Sequence, residues 1–209
     1  MARLPDRYNS FSALRERETE GVDYRIHIED RSSNVAVIAP HGGFIEPATS
    51  EIALAIAEER FCLYRFEGLD AARLHHELHV TSENFDEPIA NGLVASSSVV
   101  VAVHGRADRE DPLTSWIGGL DTALRDGIVR ALRLNDFAAA ARVKGEALAG
   151  ASAGNICNRG QRQAGVQLEI PRSVRDILMN DAEKMKRYAS AIRGAIDEFD
   201  RVLLSGEGL

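Results

Sequence analysis

The segment SVVVAVH at residues 98–104 constrains the fold of this chain more than any other stretch. Its uninterrupted aliphatic run, Val99 to Val103, is far too short to cross a bilayer, which takes about 20 apolar residues. A short, continuous, β-branched run reads instead as a strand buried on both faces of a sheet. NVAVI (34–38), FCLYRF (61–66), LHVT (78–81) and VQLEI (166–170) read the same way, and YRIHI (24–28) as an added edge strand. Between them lie segments with helical periodicity at 49–59, 119–134, 135–148 and 181–204. In the last, Met185, Tyr188, Ile192, Ile196, Phe199 and Leu203 form an apolar stripe that reads as core. Strands alternating with helices predict an α/β fold: a single domain over residues 1–209, with a mixed sheet flanked by helices and the C-terminal helix packed on it.

Composition narrows the function. Hydrophobic residues make up 44% of the 209, enough for a sizeable core. The net charge of −7 argues against nucleic acid or an anionic membrane as partner, since both need positive surfaces. Cys62 and Cys157 belong to no C-x-x-C pair and are expected as buried thiols rather than a zinc or redox motif. The N-terminal MARLPDRYNSFSALRERE is charged throughout and lacks the apolar core of a secretory signal. The expectation is a protein that is cytoplasmic as synthesised unless lysis or another route releases it.

The residues that carry chemistry fall at predicted strand ends. His41 and Glu46 follow strand 34–38, with Gly42 and Gly43 allowing a sharp turn. His104 closes strand 98–103, and Glu169 replaces an aliphatic inside VQLEI. Because side chains alternate along a strand, Glu169 should point away from the face shared by Leu168 and Ile170. Two imidazoles and a carboxylate match a catalytic zinc site, and a further glutamate suits the general base on its water. Taken singly, each histidine also fits a purely structural role, so the pattern alone leaves both open. His79 reads either as a wall of the same site or as a hydrogen-bonded core histidine. Arg159, Arg162, Arg172 and Arg175 flank the Glu169 strand, where planar guanidinium forks suit carboxylate recognition. His75 and His76 read as surface residues.

The blocks APHGGFIEPATSEIA, LHVTSENFDEP, VAVHG and NICNRGQRQAGVQLEIPRSVR, in this order, resemble the poly-γ-glutamate hydrolase family of phage and prophage origin. The resemblance runs from about Tyr8 to Arg175. It implies a zinc carboxypeptidase-like fold, one zinc ion, and hydrolysis of γ-glutamyl amide bonds of poly-γ-glutamate. Carried over, His41, Glu46 and His104 become the metal ligands and Glu169 the catalytic glutamate. Asn158 and Arg159 resemble a carboxylate-binding pair, which with Arg172, Arg175 and His79 would meet the substrate. Two features depart from the superfamily pattern. Four residues separate His41 from Glu46 where the common spacing is H-x-x-E, which makes Glu51 a rival ligand. The Asn158–Arg159 pair also follows the third ligand instead of preceding it. A zinc amidase or deacylase of small N-acyl amino acids, and a non-enzymatic phage replication-linked protein, are the alternatives.

Overall fold

Seven strands form one mixed sheet in the order β1-β3-β2-β4-β7-β5-β6. The computed structural model describes residues 4–205, so the first three residues of the charged N-terminal stretch lie outside the described residues. Along the chain come α1 (Phe11–Leu14), β1 (Tyr24–Glu29), β2 (Val35–Gly43), α2 (Thr49–Ala57), β3 (Cys62–Gly68), α3 (Pro88–Ser96) and β4 (Val99–Arg106). Then follow β5 (Ser115–Gly119), α4 (Thr122–Leu134), β6 (Ala139–Ala141), β7 (Val166–Pro171), α5 (Arg172–Asn180) and α6 (Ala182–Ser205). The central strands β3, β2, β4 and β7 run parallel, and β1 and β5 add antiparallel at the two sides.

Side-chain alternation divides the sheet into two faces. Val35, Val37, Val99, Val101, Val103, Leu168 and Ile170 point to one side and are covered by α2, α4, α5 and α6. Tyr188, Ile192, Ile196 and Phe199 of the C-terminal stripe lie in this core, as their spacing predicts. Ala36, Ile38, Val100 and Ala102 point to the other side, under α1, α3 and the loop residues Leu78, Val80 and Phe85. Strand β2 leads to β3 on one flank, while β4 lies on the other. The strand order therefore reverses between β2 and β4, and the C-terminal ends of those two strands flank the crevice where open α/β sheets bind ligands.

Two sequence expectations are corrected. Residues 78–81 are not a strand: they follow a 3-10 turn, His75–Glu77, and join no ladder. Their backbone groups serve other partners, the Val80 carbonyl accepting from His41 and the Thr81 amide donating to Asp6. Residues 135–148 are not a helix. Chain reversal at Asp136, with a left-handed φ of 66°, ends α4, and the alanines that favour helix instead pair with β5 as the short edge strand β6. Both cysteines are unpaired and buried, as expected. No helix among the described residues is long and apolar enough to cross a membrane.

The α6 stripe should be the main stabilising contact of the helical face. Ile196→Ala removes a fully buried side chain there and is expected to cost about 2–5 kcal/mol of unfolding free energy, read from the urea midpoint.

Candidate metal centre

β2 delivers His41 to the crevice and β4 delivers His104. The turn after β2 brings Glu46 back beneath them, because the Glu46 amide donates to the His41 carbonyl at 2.9 Å. That bond resolves the long H-x4-E spacing, since the extra residues form the turn. Gly42 is needed where the turn meets α2: a Cβ there would lie 2.1 Å from Ser50 Oγ. Glu51, the rival carboxylate, is exposed on α2.

Three donor atoms converge. His41 Nδ1 and His104 Nδ1 are 3.1 Å apart, and Glu46 Oε2 is 3.5 Å from the first and 3.7 Å from the second. Ligand atoms on a tetrahedral zinc ion sit about 3.3 Å from one another, from bond lengths of about 2.0–2.1 Å. All three residues are buried. His41 Nε2 lies 2.7 Å from the Val80 carbonyl, which can only accept, so this nitrogen is the donor and Nδ1 is the atom turned toward the centre. The donor set therefore fits a divalent cation in spacing and in chemistry.

The surroundings hold this geometry. Glu46 Oε2 also accepts from the Gly105 amide at 2.8 Å. Burial raises the Glu46 pKa, but the imidazoles of His41, His104 and His75 packed around it outweigh burial and hold the carboxyl well below its usual range. His79 packs against His41 at a tilt of 37°, ring centroids 3.9 Å apart, and its Nδ1 pairs with Asp6 Oδ1 at 2.9 Å. Burial, then the neighbouring His41, pushes the His79 pKa down to about 3, so the ring is neutral at pH 7. His75, expected at the surface, is half-buried, with its Nε2 3.5 Å from Glu46 Oε1. Nothing in its sequence context marks it.

Glu169 is the cross-strand neighbour of His104, buried on the same face of the sheet. Gln167 Nε2 donates to Glu169 Oε1 at 2.7 Å, and Asn155 Nδ2 donates to Gln167 Oε1 at 2.8 Å, which fixes the amide's orientation. Gln167 was legible in principle, because it stands two residues before Glu169 on the same strand face. Asn155, in a loop, was not.

The other expected substrate contacts are placed differently. Asn158 is buried, donating to the Gly150 and Ser152 carbonyls and accepting from the Leu120 and Gly165 amides. Arg159 donates to the carbonyls of Gly154, Phe85 and Glu83 and to Asn91 Oδ1. Arg175, also buried, donates to the carbonyls of Ile170, Pro47 and Arg106. It thereby ties the Glu46 turn to the ends of β4 and β7. Arg172 is exposed and pairs with Asp176 at 2.7 Å.

Similar proteins carry the same architecture. The chain is 36% identical over 206 residues to YmaC of Bacillus subtilis (strain 168), spanning 93% of this chain and 85% of that protein. It is 34% identical over 175 residues to the SPbeta prophage-derived protein YoqZ of the same strain, 84% of this chain and 62% of that protein. A bacteriophage poly-gamma-glutamate hydrolase structure superimposes with a TM-score of 0.87 at 32% identity, covering 94% of this chain and 99% of that one. A zinc-free apo structure of YndL superimposes with a TM-score of 0.85 at 29% identity, covering 92% and 98%. The profile of the poly-gamma-glutamate hydrolase family matches residues 8–203, and the chain belongs to that family.

Proposed function

We propose that the protein hydrolyses the γ-glutamyl amide bonds of poly-γ-glutamate, with zinc held by His41 Nδ1, Glu46 Oε2 and His104 Nδ1. The observation that carries this reading is the convergence of those three atoms within 3.7 Å of one another, with Glu169 on the neighbouring strand. That a zinc-free form is distinguished for YndL supports zinc as the ion. Zinc bound there supplies a Lewis acid for the scissile carbonyl and lowers the pKa of water toward neutrality.

The chain's own residues do the rest. Glu169 takes a proton from the attacking water and returns it to the leaving nitrogen as the amide bond breaks. Gln167, fixed by Asn155, holds the carboxylate in place on the strand beside His104. The neutral His79, with its Asp6 partner, packs against the His41 ring and holds it in place. Asn158 and Arg159 shape the 150–165 loop, and Arg175 holds the Glu46 turn; we assign them to positioning rather than to direct contact with substrate. Arg172, exposed beyond the end of β7, remains available to a substrate carboxylate.

Purified, zinc-loaded protein is expected to shorten poly-γ-glutamate in a viscosity assay and leave α-linked polyglutamate intact. Equal cutting of both would remove the γ-specific assignment. Glu169→Gln should fold and bind zinc as the wild type does while turnover falls by roughly two to four powers of ten. A variant with normal turnover would take Glu169 out of the reaction. Arg175→Met separates positioning from substrate binding. Three carbonyls lose their donor, so stability should fall by about 2–4 kcal/mol and zinc affinity with it. A raised KM with unchanged melting temperature and zinc content would instead show direct substrate contact.

A further inference from the structure

Glu169 has a second cross-strand neighbour on the side away from His104: Trp116 of β5. Arg106 Cζ lies 3.7 Å from the centroid of the Trp116 ring, and Arg142 Cζ lies 3.5 Å from it. Two guanidinium groups at such distances cannot share one face of an indole, so the ring is clamped between them. The indole Nε1 donates to Asp111 Oδ2 at 2.9 Å, which fixes its orientation. The two arginines are not equivalent. Arg106 is buried and donates to the carbonyls of Ala107, Asp108, Asp111 and Thr114, so it anchors its loop and supports the ring from one side.

Arg142 is held from its backbone, the amide donating to the Ile117 carbonyl at 2.7 Å, and 21% of its side chain remains exposed. Its Nε is buried and makes no hydrogen bond. Among the described residues its one ion-pair partner is Glu146, at 3.2 Å, itself 41% exposed. Exposed pairs of that kind hold weakly, so an incoming carboxylate can take Glu146's place. Stacking on an indole uses the face of a guanidinium and leaves its in-plane N–H donors pointing outward, the geometry that receives a carboxylate with two bonds.

Resting on the hydrolase reading above, we propose that Arg142, stacked on Trp116, is a specificity-determining residue. It binds a free α-carboxylate of the polymer on a repeat neighbouring the bond being cut. The spacing agrees. Trp116 is two strands from His104, roughly 10 Å at about 4.8 Å per strand. A γ-glutamyl repeat of five backbone bonds spans about 6 Å when extended. A chain lying across β4, β7 and β5 with its scissile amide at the metal centre therefore brings the carboxylate of a repeat one or two units away to Arg142. The same residue supplies local positive charge in a protein whose net charge is −7.

The test is steady-state hydrolysis of poly-γ-glutamate by the zinc-loaded full-length protein, over a range of sodium chloride concentrations. Arg142→Ala is expected to raise KM about tenfold or more, the loss of a charged hydrogen bond, with kcat within about twofold of wild type. Arg142→Lys should recover part of the loss. Wild-type KM should climb with salt and that of Arg142→Ala less steeply, because one ionic contact is gone. Glu146→Gln, which releases Arg142 from its internal partner, should lower KM, and this arm stands even if Arg142→Ala fails to fold. Unchanged KM in Arg142→Ala and Glu146→Gln, or a fall in kcat and melting temperature with the salt slope intact, would overturn the proposal. Those results would leave the hydrolase reading standing. A wild-type protein that binds zinc and cuts no polymer would remove both.

Discussion

The arrangement on which the site depends is a pair of imidazole nitrogens held 3.1 Å apart with a carboxylate oxygen beside them. His41 Nε2 is bonded to the Val80 carbonyl, so its Nδ1 is the nitrogen turned toward the centre. Two inward-facing imidazole nitrogens and a buried carboxylate so close together favour positive charge among them. The rest of the crevice holds this arrangement. The reversal of strand order between β2 and β4 brings the two histidines together, the Glu46–His41 backbone bond folds the turn, and Arg175 ties that turn to the ends of β4 and β7. A metal cation fits these constraints.

Much of this was legible in the sequence, and what was not has physical causes. The Val-rich β4 run and the α6 stripe were readable because burial on two faces, or on one, leaves a periodic mark. Residues 78–81 looked like a strand because Leu78 and Val80 are buried, yet their burial comes from lying under the sheet as a loop rather than within it. The alanines at 139–141 favour helix by propensity. The left-handed Asp136 and the open edge of β5 override that preference, a tertiary effect that no local pattern reports. Helix α3 carried a readable start, Pro88 after the capping Glu87, but Gly92 weakened its helical pattern.

The candidate site divides in the same way. His41, Glu46, His104 and Glu169 stand at strand ends or within strands, where a polar residue among aliphatics is conspicuous. Their supports come from loops whose arrangement depends on the whole fold: Asp6 for His79, Asn155 for Gln167, and the Val80 carbonyl for His41. Arginines were the hardest to read. Arg159 and Arg175 are recognisable as planar donors from sequence, but only the structure reveals that backbone carbonyls receive their hydrogen bonds. Arg142 lies in a segment that reads as helix, and its stacking on Trp116 exists only because β6 is a strand.

The most direct test of the account is X-ray absorption at the zinc edge of protein loaded with one equivalent of zinc. The account predicts a first shell of nitrogen and oxygen at about 2.0–2.1 Å, with the outer-shell scattering of two imidazoles. Sulfur in the first shell, at about 2.3 Å, or the absence of imidazole scattering, would contradict the assignment of His41, Glu46 and His104 as the metal-holding residues.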